Sequence, residues 1–422
     1  MNHPDRTTID ALAYEVLDDG EAVGPHVGSC PRCRRTLEAV RAEQDFLRRA
    51  LRSTPNEAVG VPRRESRAGA LSAGLPLAAA IALAVVLWFS ARPEAPARSV
   101  PQASPGGSVP DLRPPDSAQV DDPYARAQRR FQTEFGSSRL IFHKAKPYLV
   151  ALETSERFHS TMLCEDYGEK IQRVYAAFRR EFADGPRLPE VEPALTVLVF
   201  NSRESFDRYF VERDKNMKRM SDSIKGIYEY DQERRRVVVY HDFDVPVVVL
   251  SHEGIHQLLH YYTLRETGGR RVPASYWFQE GLGTYFEALR GDSVDVAAGR
   301  DRLPTLKEAL RPKAGGGRTF IPLNVLVAHS VDEFWQWFED ASKTDAEEAT
   351  QKARLTFTES WALVHFLRNR SEKHRLVLTG YFRLETAGKG SKDAFDQLVR
   401  EHLRTGLPEL EEEFIAYLRD LK

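Results

Sequence analysis

Hydrophobic residues along this chain change their pattern at a few well-separated points, and each change marks a boundary. The first 52 residues carry apolar positions at helical spacing. Thr8–Leu17 reads as a short helix capped by Thr7 or Thr8, and Cys33–Leu51 as a second, with Leu37, Val40, Phe46, Leu47 and Leu51 on one side. Residues 70–89, ALSAGLPLAAAIALAVVLWF, are then uncharged throughout, matching the ~20 residues needed to cross a bilayer. Residues 91–123 break the pattern: eight prolines among Ser, Gly and Ala predict an extended, semi-rigid spacer without a core.

From Tyr124 the mixture becomes that of a globular domain. A helix over 124–134 leads into SRLIFHKAKPYLVALET, which reads as strand material, and residues 160–183 form an amphipathic helix with Tyr167, Ile171, Val174, Tyr175 and Phe178 on one side. ALTVLVF (194–200) is a short apolar strand, Glu204–Phe210 starts another helix, and residues 226–240 alternate as a hairpin around Asp231-Gln232-Glu233. A helix follows, started by Asp244 and Pro246 and closed by Gly268-Gly269. Another begins near Pro273. Beyond Leu289 come a Gly-rich loop (315–317) and helices near 332–342, 356–369, 391–403 and 408–421.

Composition narrows the class. At 422 residues with 41% hydrophobic side chains the chain can bury a sizeable core, and a net charge of −2 gives no argument for a nucleic-acid partner. The segment 70–89 lies too far from the N-terminus for a cleavable signal peptide, so it reads as a signal-anchor. Arg52, Arg63, Arg64 and Arg67 precede it, against Arg92 and Arg98 after it, which predicts a cytoplasmic N-terminus and an extracytoplasmic C-terminal domain. The domain plan is therefore 1–60, a small helical module; 70–89, a transmembrane helix; 91–123, a linker; and 124–422, the main domain.

Three cysteines are too few for a disulfide framework. Cys164 reads as a small buried hydrophobe. Cys30 and Cys33 instead belong with His26, in the spacing His26-x-x-x-Cys30-x-x-Cys33, where two thiolates and an imidazole can fill three corners of a tetrahedral zinc site. The trio resembles the zinc finger of anti-sigma factors, a resemblance that implies a structural zinc, a sigma factor as partner, and a further ligand upstream, a position His3 fits.

The chemistry concentrates at residues 247–289. His252-Glu253-Gly254-Ile255-His256 places two imidazoles one above the other on one helix face, able to reach one metal. Glu253 lies beside that metal without ligating it, positioned to accept a proton from a water. A metzincin continuation would need glycine at 259 and histidine at 262, where this chain has Leu259 and Tyr262. The following helix carries Glu280 with Gly281 and Gly283, and glycine within a helix implies close packing, here against the His252 helix. Glu287 is a rival third ligand; His260 reads as a structural histidine.

HEGIHQLLH followed by YWFQEGLGTYFE resembles the gluzincin pattern of zinc peptidases, most closely the peptidase-MA-like group. The resemblance covers roughly residues 135–375. It implies a thermolysin-like zincin domain of the α+β class, with a mixed sheet, the HExxH helix and a helical C-terminal part; a catalytic zinc on His252, His256 and Glu280; Glu253 as general base; and a peptide or protein substrate. FTESWALVHFL (357–367) matches a helix that the group places beside the metal, but Phe357 stands where members often carry an oxyanion-binding tyrosine. Tyr261, Tyr262, Tyr285, Tyr381 and His365 are candidate substitutes. The expectation is a single-pass, membrane-anchored zinc metallopeptidase acting outside the cytoplasm and coupled to sigma-factor regulation. A second reading is a transmembrane regulator whose outer domain binds or senses without catalysis.

Overall fold

The computed structural model describes residues 122–421 apart from 137–138, 155–159, 184–187, 212–224, 231–233, 242–245, 271–272, 292, 296–298, 300–301 and 313–318. The N-terminal zinc module with His3, His26, Cys30 and Cys33, the expected span over 70–89 and nearly all of the linker lie outside the described residues.

The linker gives way to structure at its last proline. Asp122 accepts the Tyr124 N–H at 3.0 Å and Pro123 occupies the first helical position, where a missing N–H costs nothing, so α1 runs Pro123–Phe135. The strand material after it forms a hairpin, β1 (Leu140–Ala145) and β2 (Tyr148–Glu153). Then come α2 (Ser160–Glu181), β3 (Leu195–Phe200), α3 (Arg203–Val211), β4 (Gly226–Glu229) and β5 (Arg236–Tyr240). These strands make one mixed sheet in the order β1-β2-β3-β5-β4. Its centre, β2-β3-β5, is parallel, and both edge strands are antiparallel to their neighbours. β2 is buried along its whole length, which explains its apolar run from Tyr148 to Leu152; Glu153 at its end lies 3.3 Å from Arg139. Cys164 is buried in α2 with its thiol pushed up to about 12 by burial, as suits a core residue.

Helix α4 (Pro246–Thr267) packs on the sheet at β4 and β5, with α2 on another side. Gly268 and Gly269 close it at φ +62 and +78, the Gly269 N–H reaching back to the Leu264 carbonyl, a left-handed ending that glycine adopts without strain. The C-terminal half is helical: α5 (Tyr276–Phe286), a two-residue strand pair β6 (Leu289–Arg290) and β7 (Ser293–Val294), then α6 (Leu303–Ala309), α7 (Leu323–Leu326), α8 (Val331–Thr344), α9 (Ala346–Asn369), α10 (Glu372–Thr386), α11 (Lys392–Leu403) and α12 (Leu407–Asp420). Helix α9 starts well before residue 356 because Asp345 caps it, accepting the Glu347 and Glu348 N–H groups at 3.0 and 2.9 Å. Its first turns are largely polar and so carry no apolar rhythm. Helix α10 has no counterpart in the sequence reading. Gly380 at its middle weakens the helical signal and is explained by α11, since a Cβ there would lie 2.8 Å from Leu398 Cδ2.

The class is α+β with a mixed sheet. The expected transmembrane helix, and the single-pass membrane localisation resting on it, are corrected: no helix among the described residues is long and apolar enough to cross a membrane. The long helices show why. Helix α4 carries His252, Glu253, His256 and His260 along its middle, and α9 carries Lys352, Arg354, Glu359 and His365. Such ionisable groups are costly in hydrocarbon.

The two glycines of α5 face different neighbours. A Cβ on Gly283 would lie 2.9 Å from the His252 ring, as expected for packing on α4, whereas one on Gly281 would lie 2.5 Å from the Ser360 carbonyl oxygen of α9. Alanine is favoured over glycine in a helix by about 1 kcal/mol, but a backbone oxygen at that distance forces the helices apart. Gly281→Ala is therefore expected to destabilise the protein by about 1–3 kcal/mol, the usual overpacking cost. A urea melt showing equal or greater stability would contradict this contact.

Candidate metal centre

Three side chains from two helices converge in the core. α4 supplies His252 and His256, one turn apart, and α5 supplies Glu280 from the opposite side. All three are 3% exposed or less. Their candidate ligand atoms lie within 4.8 Å of one another. His252 Nε2 is 3.0 Å from His256 Nε2 and 3.4 Å from Glu280 Oε2, and His256 Nε2 is 3.8 Å from Glu280 Oε1. Donors held 2.0–2.2 Å from one tetrahedral ion are about 3.3–3.6 Å apart. The three separations bracket that range.

The hydrogen bonding fits a cation as well. Two imidazole nitrogens facing each other can share at most one proton, and Glu280 Oε2 is buried without a hydrogen bond of good geometry. The other face of His252 is fixed: its Nδ1 lies 2.9 Å from Glu287 Oε1, and Arg302, just before α6, pairs with Glu287 Oε2. Glu287 thus stands behind the imidazole, where it orients the ring of a candidate ligand, rather than beside Glu280 as a rival to it. His260, one turn beyond His256, is structural, its Nδ1 held 2.7 Å from the Tyr228 hydroxyl.

Glu253 is fully buried next to the trio but does not join it. Its Oε2 accepts the backbone N–H of Tyr228, in edge strand β4, at 2.7 Å, and its Oε1 has no partner. In the metal-free protein burial raises Glu253 to about 7. Burial opposes a charged His252, yet Glu280 and Glu287 hold it up at about 10, while burial takes His256 down to about 4. Burial likewise opposes ionisation of Glu280, but the two histidines keep it below the usual carboxylate range.

Phe357 is where the sequence placed it, beside the centre, its ring stacked on that of His252 with centroids 6.0 Å apart. The proposed substitutes are engaged elsewhere. The Tyr261 hydroxyl accepts the Glu192 N–H at 2.9 Å, Tyr262 donates to the Pro189 carbonyl at 3.0 Å, Tyr381 meets Ser275 Oγ at 2.6 Å, and His365 Nδ1 meets the Tyr417 hydroxyl at 2.9 Å. Tyr285 lies against the His365 ring. The phenols that feel the site's carboxylates are Tyr230 and Tyr276, both raised first by burial, with Glu280 adding to each and Glu253 to Tyr230. The Tyr230 hydroxyl donates to Gln279 Oε1 at 3.3 Å. A signal for Tyr276 was present: it precedes Glu280 by four residues and so shares its helix face. Tyr230 could be found only once β4 was placed against α4.

Comparison with protein-family models and with curated proteins finds no match to this chain.

Removing the carboxylate behind a metal-binding histidine typically weakens metal affinity about 10–100-fold. Glu287→Ala should show such a loss in a chelator-competition titration with zinc, and Glu280→Ala should abolish tight binding. Equal affinities for Glu287→Ala and wild type would remove Glu287 from the site.

Proposed function

We propose that the protein is a zinc metallopeptidase that hydrolyses a peptide bond in a peptide or protein substrate. His252, His256 and Glu280 would hold the ion, as the resemblance to gluzincins implies, and the donor set and spacing fit it. Bound there, the ion supplies Lewis acidity. The observation that carries the reading is Glu253. A site built only to hold metal needs three or four donors. This one adds a buried carboxylate with one oxygen anchored on Tyr228 N–H and the other, Oε1, left without a partner beside the trio.

Glu253 Oε1 accepts the proton of the attacking water and passes it to the leaving amine, so one carboxylate serves as base and then acid. The Tyr228 N–H keeps its second oxygen in place during both transfers.

Phe357 favours a second reading, a domain that binds metal and ligand without turnover, because its ring offers no hydrogen bond to a developing oxyanion. For residues 1–60 the proposal is a structural zinc on His26, Cys30 and Cys33, supported by their spacing, with a sigma factor as partner, as the resemblance to anti-sigma zinc fingers implies.

Glu253→Gln separates the readings. The variant should keep zinc and fold while losing about 10²–10⁴-fold in turnover, the contribution of a general acid–base group. The measurement is digestion of a broad peptide library by zinc-loaded full-length protein. A wild type that cleaves nothing the variant leaves intact would replace the peptidase by the binding domain.

A further inference from the structure

A second feature lies apart from the metal ligands. At the start of β3 and β5, beside α4, a cavity of about 420 Å³ is lined by charged side chains. Five arginines face it, Arg126 and Arg130 from α1 and Arg234, Arg235 and Arg236 before and at the start of β5, against two glutamates, Glu134 and Glu192. The surplus is three positive charges.

Both glutamates are already engaged. Glu134 makes two bonds to the buried Arg236, at 2.7 and 2.9 Å, and lies 3.9 Å from Arg234; Glu192 pairs with Arg265 at 3.2 Å. Arg126 and Arg130, one turn apart on α1, are exposed and have no ion pair among the described residues. Arg235 buries its Nε without a hydrogen-bond partner. Like charges gathered in excess of their counterions repel, so Arg126, Arg130 and Arg235 beside the paired Arg234 and Arg236 are by themselves unfavourable.

The backbone reinforces the point. Successive side chains of an extended segment point to opposite faces, yet Arg234, Arg235 and Arg236 all line this one cavity. Arg235 sits at φ +39, in the left-handed region that costs a non-glycine residue energy, and this breaks the alternation. The hairpin thus accepts local strain while bringing a third consecutive arginine to a cavity already rich in that charge. That arrangement is favourable once an anion is bound.

We propose that this cavity binds a small, multiply charged oxyanion of the phosphate class, held by Arg126, Arg130 and Arg235. The volume lies within the usual range for small-molecule sites, and guanidinium forks match tetrahedral oxyanions with paired, charge-assisted hydrogen bonds. Gln257, the neighbour of His256, forms part of the frame, its amide donating to the Thr196 and Arg235 carbonyls at 3.1 Å each. The proposal is independent of the peptidase reading, since no metal-ligating residue lines the cavity.

Calorimetric titration of the full chain with inorganic pyrophosphate at constant ionic strength tests it, with and without EDTA. Saturable binding that EDTA leaves unchanged is expected. The Arg126→Gln/Arg130→Gln double variant, altered only at exposed positions and checked by circular dichroism, should bind about 10–100-fold more weakly, as should Arg235→Gln. The proposal is overturned by an absence of saturable binding up to about 10 mM, by EDTA-sensitive binding, which would assign the probe to the metal centre, or by a double variant that binds as tightly as wild type.

Discussion

The constraint on which the rest depends is the burial of His252, Glu253, His256 and Glu280 in one small volume. Taking an ionised group out of water costs several kcal/mol unless partners replace the solvent. Here each partner comes from a different element: Glu280 from α5, Glu287 and Arg302 from the chain after it, and a backbone N–H from β4. The helices can approach closely enough because α5 carries glycine where it meets His252 and the Ser360 carbonyl. The charge arrangement and the packing therefore require each other.

The sheet contributes through its edge. In a mixed sheet of order β1-β2-β3-β5-β4, β4 is an outer strand, and the outward N–H of its Tyr228 has no strand to pair with. Unpaired edge groups need some other partner when buried. Glu253 provides it. Tyr228 in the same strand and Tyr230 just after it lie against His260, whose ring is 5.6 and 5.0 Å from theirs, so the helix and the edge strand are held together along two turns. Glu253 is thus held by the fold itself through one oxygen, while its Oε1 has no partner.

The arginine cavity is the opposite case, a group of like charges that the fold gathers and does not neutralise. Arg236 is satisfied internally by Glu229 and Glu134 and stacks near Phe131 and Phe135. Arg235 lines the same cavity with its Nε buried and without a hydrogen-bond partner. The contrast between the fully paired Arg236 and the exposed Arg126 and Arg130, which have no ion pair among the described residues, separates a structural ion pair from a surface suited to a ligand.

Much of this was legible in the sequence wherever a short-range rule applied. The turn that carries the candidate ligands is a matter of helical period, so His252, Glu253 and His256 could be placed together from spacing alone, and the 226–240 hairpin followed from strand alternation. The resemblance to gluzincins added Glu280, and the structure brings it to the two histidines from across a helix pair. What spacing could not supply were relations between distant segments: Glu287 behind His252 instead of beside Glu280, Tyr228 N–H under Glu253, Tyr230 close enough to feel Glu253 and Glu280, and α1 arginines lining one cavity with those before and at the start of β5. The bilayer-length apolar run at 70–89 remains a property of the sequence, and no described helix is suited to cross a membrane. The division has a physical cause. Periodicity fixes which residues share a face of one element, but which faces meet, and which buried charge finds which partner, is decided only when desolvation forces the elements together.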